Sequence, residues 1–159
     1  MTIYELVLSA GLFMASLACQ QNADNFVEGS APAIVTNVKV TGQENNYTFF
    51  VTIKSPDTGC DQYANWWEVI SADGKQLIYR RILAHSHVDE QPFTRSGGGV
   101  KITANTDIIV RAHMHTLGYG EGVIAMIGSV GKGFTAYEIP ANFAVDLEKK
   151  SPQPSGCAF

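Results

Sequence analysis

Short runs of β-branched and aromatic residues, each ended by turn-forming residues, constrain the fold of this chain more than any other feature. Residues 47–54 (YTFFVTIK) are one example, and Asp73-Gly74, which follows residues 66–71, is a pair typical of β-hairpin turns. The runs predicted as strands are 34–41, 47–54, 66–71, 76–87, 100–103, 107–116, 123–128 and 134–139. Residues 95–99 (RSGGG) are predicted to interrupt the series, and residues 144–150 are a weak helical candidate. Strands spaced by roughly 8–12 residues predict an all-β fold, a single antiparallel β-sandwich of about seven or eight strands.

The charge composition excludes two classes of protein. Charged residues make up 16% of the chain and hydrophobic residues 45%, which is too apolar for a disordered acidic chain. The formal net charge is −4 at pH 7. A nucleic-acid-binding domain normally carries a basic excess or stripe, so nucleic acid is not an expected partner.

The first 19 residues carry the pattern of an export signal. Residues 6–17 (LVLSAGLFMASL) hold no charge, but they are shorter than the roughly 20 apolar residues that a membrane-spanning helix needs. They lead into Ser16-Leu17-Ala18-Cys19, which resembles the cleavage box of a bacterial lipoprotein signal peptide. The resemblance implies removal of residues 1–18, a lipid on Cys19 and attachment to the membrane, in the periplasm or at the cell surface. Residues 19–33 then form a polar tether, 34–148 the β-sandwich domain and 149–159 a C-terminal tail.

Two adjacent tryptophans lie on the third predicted strand. Because neighbouring side chains of a strand point to opposite faces, one of Trp66 and Trp67 is expected in the core and the other outside. A tryptophan at this place in the strand order loosely resembles immunoglobulin-like and fibronectin type III domains. The resemblance implies an immunoglobulin-like sandwich and assigns no function.

The cysteines fit an exported protein. If Cys19 carries lipid, Cys60 and Cys157 remain, and in an oxidising compartment we expect them to pair. The disulfide would close a loop of about a hundred residues and pin the tail to the domain. The alternative is a pair of free thiols in a cytosolic protein.

The histidines form two pairs of identical spacing, HSH at 85–87 and HMH at 113–115. Side chains at i and i+2 of a strand share a face, so each pair offers two imidazoles that point the same way. Neutral imidazole is a good ligand for copper and zinc. The pattern therefore predicts a copper or zinc site, with Met114 pointing away from it, provided that the two strands meet. The predicted ligands are His85, His87, His113 and His115.

Arginines accompany the histidines on both strands. Arg81 shares the parity of the first pair and Arg111 that of the second, and because arginine is rarely buried, we expect the histidine faces to be the outward ones. Arg81 and Arg111, together with Tyr79, are a possible site for an anionic ligand. The alternative is a solvated sheet face, with cross-strand ion pairs to acidic residues such as Glu68.

Three functions are compatible with these features. The first is a lipid-anchored extracytoplasmic domain that binds copper or zinc as a chaperone, buffer or sensor. The second is a non-catalytic envelope module that contacts a protein or a glycan and needs no metal. The third is a metal-dependent hydrolase with Asp89 or Glu90 as general base. We rank it last, and expect no enzyme, because a small sandwich has little material for a water-excluding pocket.

Overall fold

Eight strands in two antiparallel sheets make up the molecule. The computed structural model describes residues 31–158, so the predicted leader, Cys19 and most of the tether lie outside the described residues. The strands are β1 (Ile34–Gln43), β2 (Asn46–Lys54), β3 (Ala64–Ser71), β4 (Leu77–Ile82), β5 (Phe93–Val100), β6 (Ile108–Met114), β7 (Val123–Ser129) and β8 (Gly133–Ile139). The small sheet has the order β1-β2-β5 and the large sheet the order β4-β3-β6-β7-β8. The predicted β-sandwich is confirmed.

The chain changes sheet after β2, after β4 and after β5, so it crosses between the two layers three times. Immunoglobulin domains also place their second and fifth strands in one sheet and their third and sixth in the other. The conserved place of the core tryptophan in such domains is occupied by Trp67, which is fully buried between the sheets.

The main core lies between the two sheets and follows the two-residue period of the strands. On β2 the side chains of Tyr47, Phe49, Val51 and Ile53 point inward and are buried. Strands β3 and β6 are different, because nearly every residue of both is buried. Their second face is covered by residues 140–152, which lie over the outside of the large sheet and pack Leu147 against Ile70 and Ile109.

Three predicted boundaries were wrong. Of the strand predicted at 100–103, only Val100 lies in a strand, as the last residue of β5. Strand β4 ends at Ile82, so residues 85–87 lie in a loop and not on a strand. Strand β5 runs through residues 95–99, which were expected to interrupt the sheet. Gly97 has a packing reason: a Cβ there would lie 2.7 Å from Cε1 of Tyr79, so only glycine leaves room for that ring.

The C-terminal tail is fixed to the domain. A short 3₁₀ helix at Val145–Lys149 occupies the predicted helical position. The predicted disulfide between Cys60 and Cys157 is present and joins the β2–β3 loop to the tail. Beyond it, the backbone N–H of Ala158 donates to the carbonyl oxygen of Ala84.

One end of the sandwich, which we call the N-terminal pole, gathers most of the functional candidates. It consists of residues 31–33 and the loops 55–63, 83–92 and 115–122, because β1, β3, β5 and β7 start here and β2, β4 and β6 end here. Ala33 is buried, so the last part of the predicted tether belongs to the fold. Among residues 31–158 no helix has the length and apolarity to cross a membrane.

Candidate functional site

A buried cluster of charges lies on the outer face of the large sheet. Glu68 on β3 stands opposite Arg80 on β4 and Arg111 on β6. Its Oε2 accepts from Nε of Arg80 at 2.8 Å, and its Oε1 accepts from Nε of Arg111 at 2.8 Å and from the Tyr119 hydroxyl at 2.7 Å. The carboxylate and both guanidinium groups are inaccessible to solvent.

This cluster corrects the expectation that the histidine face of β6 is open to solvent. Arg111 and His113 do point away from the opposite sheet, but the tail covers them and they are 0% and 3% exposed. A buried arginine is tolerated here because every charged partner is satisfied by hydrogen bonds. The cross-strand pairing of Glu68 is therefore real, but it is buried and not solvated.

The two arginines hold the tail in place. Arg111 donates to the carbonyl oxygens of Phe143 and Ala144, and Arg80 donates to a further set of tail carbonyls. The carbonyls bound by Arg80 are those of Leu147, Glu148, Lys150 and Pro152. A segment without regular strand pairing thus has its polar backbone satisfied by two side chains.

An open groove of about 550 Å³, which we call the tail groove, runs between the large sheet and the tail at the N-terminal pole. Its volume is in the range of about 300–1,000 Å³ typical of ligand pockets. Its lining includes Tyr63, Asn65, Trp66, His113 and His115 on the sheet side, and Glu148, Gln153 and the Cys60–Cys157 disulfide on the tail side.

His113 is the best-positioned side chain of the groove. Its ring stacks on Trp66 with centroids 3.6 Å apart, and its Nδ1 lies 2.7 Å from Oδ1 of Asn65. With Oδ1 of the Asn65 amide facing the ring, the matching tautomer carries its proton on Nδ1 and leaves a lone pair on Nε2. Burial, and next the nearby Arg80, lower the pKa of His113 to about 3, so the ring is neutral at pH 7.

The lone pair of His113 faces another acceptor. Its Nε2 lies 3.4 Å from Oε1 of Glu148, and it has no hydrogen-bond partner among the described residues. Nε1 of Trp66, a donor, is also buried without a partner there. Both faces of the Trp66 ring are covered, one by His113 and the other by the guanidinium of Arg80 at 4.4 Å. The groove wall therefore holds the accessible carboxylate of Glu148, with the unpartnered Nε2 of His113 and Nε1 of Trp66 buried behind it.

The two histidine pairs do not converge on one metal site. The rings of His85 and His87 are 4.5 Å apart, and His87 stacks on Phe93 at 3.8 Å. His113 packs on Trp66, whereas His115 lies against Tyr63 with centroids 5.5 Å apart. Within residues 31–158 no three His, Cys, Asp or Glu side chains form a set that could hold a metal ion. Met114 lies in the core, away from the histidines, as expected.

The carboxylates suggested as general bases are exposed on the 83–92 loop: Asp89 lies at its tip, and Glu90 is paired with Arg95 at 2.7 Å.

The suggested anion site of Arg81, Arg111 and Tyr79 is also divided. Arg111 is occupied by Glu68 and the tail on the outer face of the sheet. Arg81 pairs across the sheet with Trp67, which points to the core side, and Tyr79 packs against the same tryptophan. The three side chains therefore do not share a face.

Sequence reasoning did not single out Asn65 or Glu148, and it gave Glu68 only a solvated role. For Glu68 a signal existed, since an acidic residue within WWEVIS is flanked by apolar residues on both sides. For Asn65 and Glu148 no local signal exists, because their proximity to His113 is created by the register of β3 on β6 and by the course of the tail.

The buried histidines make stability depend on pH. Burial lowers the pKa of His113 to about 3 and, with Arg95 as the next cause, the pKa of His87 to about 4, against about 6.5 in the unfolded chain. Between these values the unfolded state binds more protons, so stability is lost as the pH falls below about 6.5, at up to about 1.4 kcal/mol per pH unit for each ring.

Urea unfolding at pH 7.5, 6 and 5 measures this slope. His87→Gln and His113→Gln should each flatten it, and the exposed His115→Gln should not; equal slopes in all variants would contradict the prediction.

Comparison with known proteins finds similarity over part of the chain. A protein of Halomicrobium mukohataei named "Putative lipoprotein" is 43% identical over 72 residues, which are 45% of this chain. Those residues are 35% of that relative, so the match spans about a third of its length. No family model matches the chain, and no solved structure matches it.

Proposed function

We propose that this chain is a lipid-anchored, non-catalytic binding module of the cell envelope, and that its tail groove binds a hydroxyl-bearing ligand such as a glycan. The observation that carries the proposal is the pair of opposed acceptors, Nε2 of His113 and Oε1 of Glu148, 3.4 Å apart at the wall of the groove. Two acceptors at this distance repel each other unless a donor lies between them.

The location outside the cytoplasm has three supports. The leader ends in a lipoprotein-like box before Cys19. The relative in Halomicrobium mukohataei is itself named a lipoprotein. The disulfide between Cys60 and Cys157 is the kind of bond that persists in oxidising compartments. None of the three depends on what the groove binds, so the anchor and the ligand are tested separately.

The polarity of the groove favours a neutral hydroxyl ligand. A hydroxyl group donates one hydrogen bond and accepts others, so it suits both the acceptor pair and the N–H of Trp66. The His113 ring is neutral, and Glu148 carries a negative charge that disfavours anions. Because Glu148 is partly exposed, a ligand reaches its carboxylate directly, and it reaches the buried Nε2 of His113 when the side chain of Glu148 moves aside.

Copper or zinc is the second candidate, favoured by the same acceptor pair. A cation between Nε2 of His113 and Oε1 of Glu148 would remove their repulsion, and both are accepted metal ligands. It ranks second because a stable zinc site takes three or four protein ligands, and the described residues assemble no such set around these two.

The proposal is tested by titrating the full chain with neutral disaccharides (cellobiose, maltose and lactose) and with Zn²⁺ and Cu²⁺, while recording the Nε2 shift of His113 and tryptophan fluorescence. Glu148→Gln places an N–H opposite His113, which satisfies the lone pair internally and should weaken saccharide binding at least ~10-fold. Glu138→Gln, an exposed change on β8, is the matched control. Saturable saccharide binding lost only in Glu148→Gln supports the proposal, whereas binding of metal alone, or of none of these probes, overturns it.

The anchor has its own readout in the same preparation. Wild-type chain should fractionate with membranes and incorporate labelled palmitate, and Cys19→Ser should appear in the soluble fraction without label. A Cys19→Ser chain that stays on membranes would refute the lipid anchor and leave the groove result untouched.

A further inference from the structure

A second pocket lies at the N-terminal pole, on the other side of β4 from the tail groove. It is a small cavity of about 110 Å³, larger than the ~30 Å³ that one water occupies in the liquid. Its walls are Arg81, Ile82, Leu83, Ala84, His85, His87 and Arg95. Every polar side chain in this lining is an arginine or a histidine.

We propose that this cavity is a binding site for a small oxyanion of the phosphate type. Arginine presents its N–H groups in a fork that matches phosphate oxygens. The chain has four arginines, and Arg80 and Arg111 are committed to Glu68 and the tail. The other two, Arg81 and Arg95, line this one cavity together with two of the four histidines.

Both arginines retain donors for a ligand. Arg81 uses two of its five N–H groups on the carbonyl oxygens of Ser96 and Ile82. Arg95 donates to the carbonyl oxygen of Thr94 and to the carboxylate of Glu90. These contacts hold the guanidinium groups in position, and Glu90 offsets one of the two positive charges.

His87 points to a ligand independently of the arginines. Its side chain is 1% exposed, and neither ring nitrogen has a hydrogen-bond partner among the described residues. The carboxylate of Asp57 does not fill that role, because it is 3.8 Å from Nδ1 and accepts instead from the backbone N–H groups of Ala64 and His87. An imidazole N–H in the wall of a cavity with two arginines is a ready donor to an anion.

The position of the cavity defines two sources for the oxyanion. It lies in the 83–92 loop at the N-terminal pole, where residues 31–33 join the domain and where the proposed tether would arrive from the membrane. Val88, on the same loop, is one of the large apolar side chains that are exposed. The ligand is therefore either free phosphate or the phosphate of an anionic lipid headgroup; the second source rests on the proposed anchor, and the first does not.

The test uses the full chain carrying Cys19→Ser, so that no lipid is attached. Inorganic phosphate is titrated while the ring nitrogen shifts of His87 are followed, and co-sedimentation is measured with phosphatidylcholine vesicles with and without phosphatidylglycerol. Replacing both arginines (Arg81→Gln and Arg95→Gln) should weaken phosphate binding at least ~10-fold. Arg81→Lys, which keeps the charge and loses the fork, should give an intermediate value.

The control is Lys132→Gln, which removes an exposed positive charge at the opposite end of the sandwich and should leave phosphate binding unchanged. Phosphate binding that depends on the arginines supports the site. If binding to the phosphatidylglycerol vesicles depends on them too, the source is a lipid headgroup; if it does not, the source is a free oxyanion. No saturable shift of His87, or equal phosphate affinity in all variants, overturns the inference without bearing on the tail groove.

Discussion

Glu68→Gln is expected to lower the free energy of unfolding by about 3–5 kcal/mol, because it leaves two buried guanidinium groups without a compensating charge. The carboxylate is fully buried between Arg80 and Arg111, and it also accepts from Tyr119. Glutamine has nearly the same shape, so the loss reports the charge and not a cavity. Urea unfolding at pH 7.5 measures it.

Glu138→Gln provides the baseline, since it removes the same charge from an exposed position on β8 and should change stability by less than about 0.5 kcal/mol. A loss of unfolding free energy below 1 kcal/mol in Glu68→Gln would contradict the prediction that the variant leaves two buried guanidinium groups without a compensating charge.

The strands could be predicted because most of them turn one face to the core between the two sheets, which gives their sequences a two-residue period. Alternation on β2 and the turn at Asp73-Gly74 reflect local rules, and the same alternation predicts one of two adjacent tryptophans in the core, which the structure identifies as Trp67. The end of β4 could not be predicted, because the run QLIYRRILAHSH contains no Gly, Pro, Asn or Asp to mark a turn, although pairing with β3 stops at Ile82. The glycines at 97–99 were predicted to interrupt a strand for a related reason, since the role of Gly97 depends on the ring of Tyr79 on another strand.

The site was harder to predict than the fold because the tail creates it. Parity correctly placed Arg111 and His113 on the outer face of the large sheet, but their burial depends on residues 140–152 lying over that face. This segment has no periodicity and is held by two arginines and a disulfide. The two histidine pairs have the same spacing in the sequence but different surroundings in the structure. The first pair lies in a loop, where His87 stacks on Phe93, and in the second pair His115 lies against Tyr63.

Removing the disulfide is the second large effect. Replacing both of its cysteines (Cys60→Ala and Cys157→Ala) is expected to lower the free energy of unfolding by about 4–5 kcal/mol in the chain-entropy model, because the bond closes a loop with a sequence separation of 97. Reduction of the wild-type chain with dithiothreitol should give the same loss without any substitution. Urea unfolding compares the oxidised wild type, the reduced wild type and the double cysteine variant. The prediction is contradicted if the unfolding free energies of the last two both lie within 1 kcal/mol of that of the oxidised wild type.

The disulfide and the buried charges restrain the same segment, so their effects should not add. Arg80 binds tail carbonyls as far as Pro152, five residues before Cys157 along the chain. If Glu68→Gln loosens Arg80, the disulfide becomes the main restraint on the tail. The loss of unfolding free energy in a variant that lacks both Glu68 and the disulfide should then differ from the sum of the two separate losses by about 0.5–3 kcal/mol. A double-mutant cycle measures this coupling. A cycle that closes to zero would mean that the tail is held at two independent places, and that the tail groove keeps its shape when either one is lost.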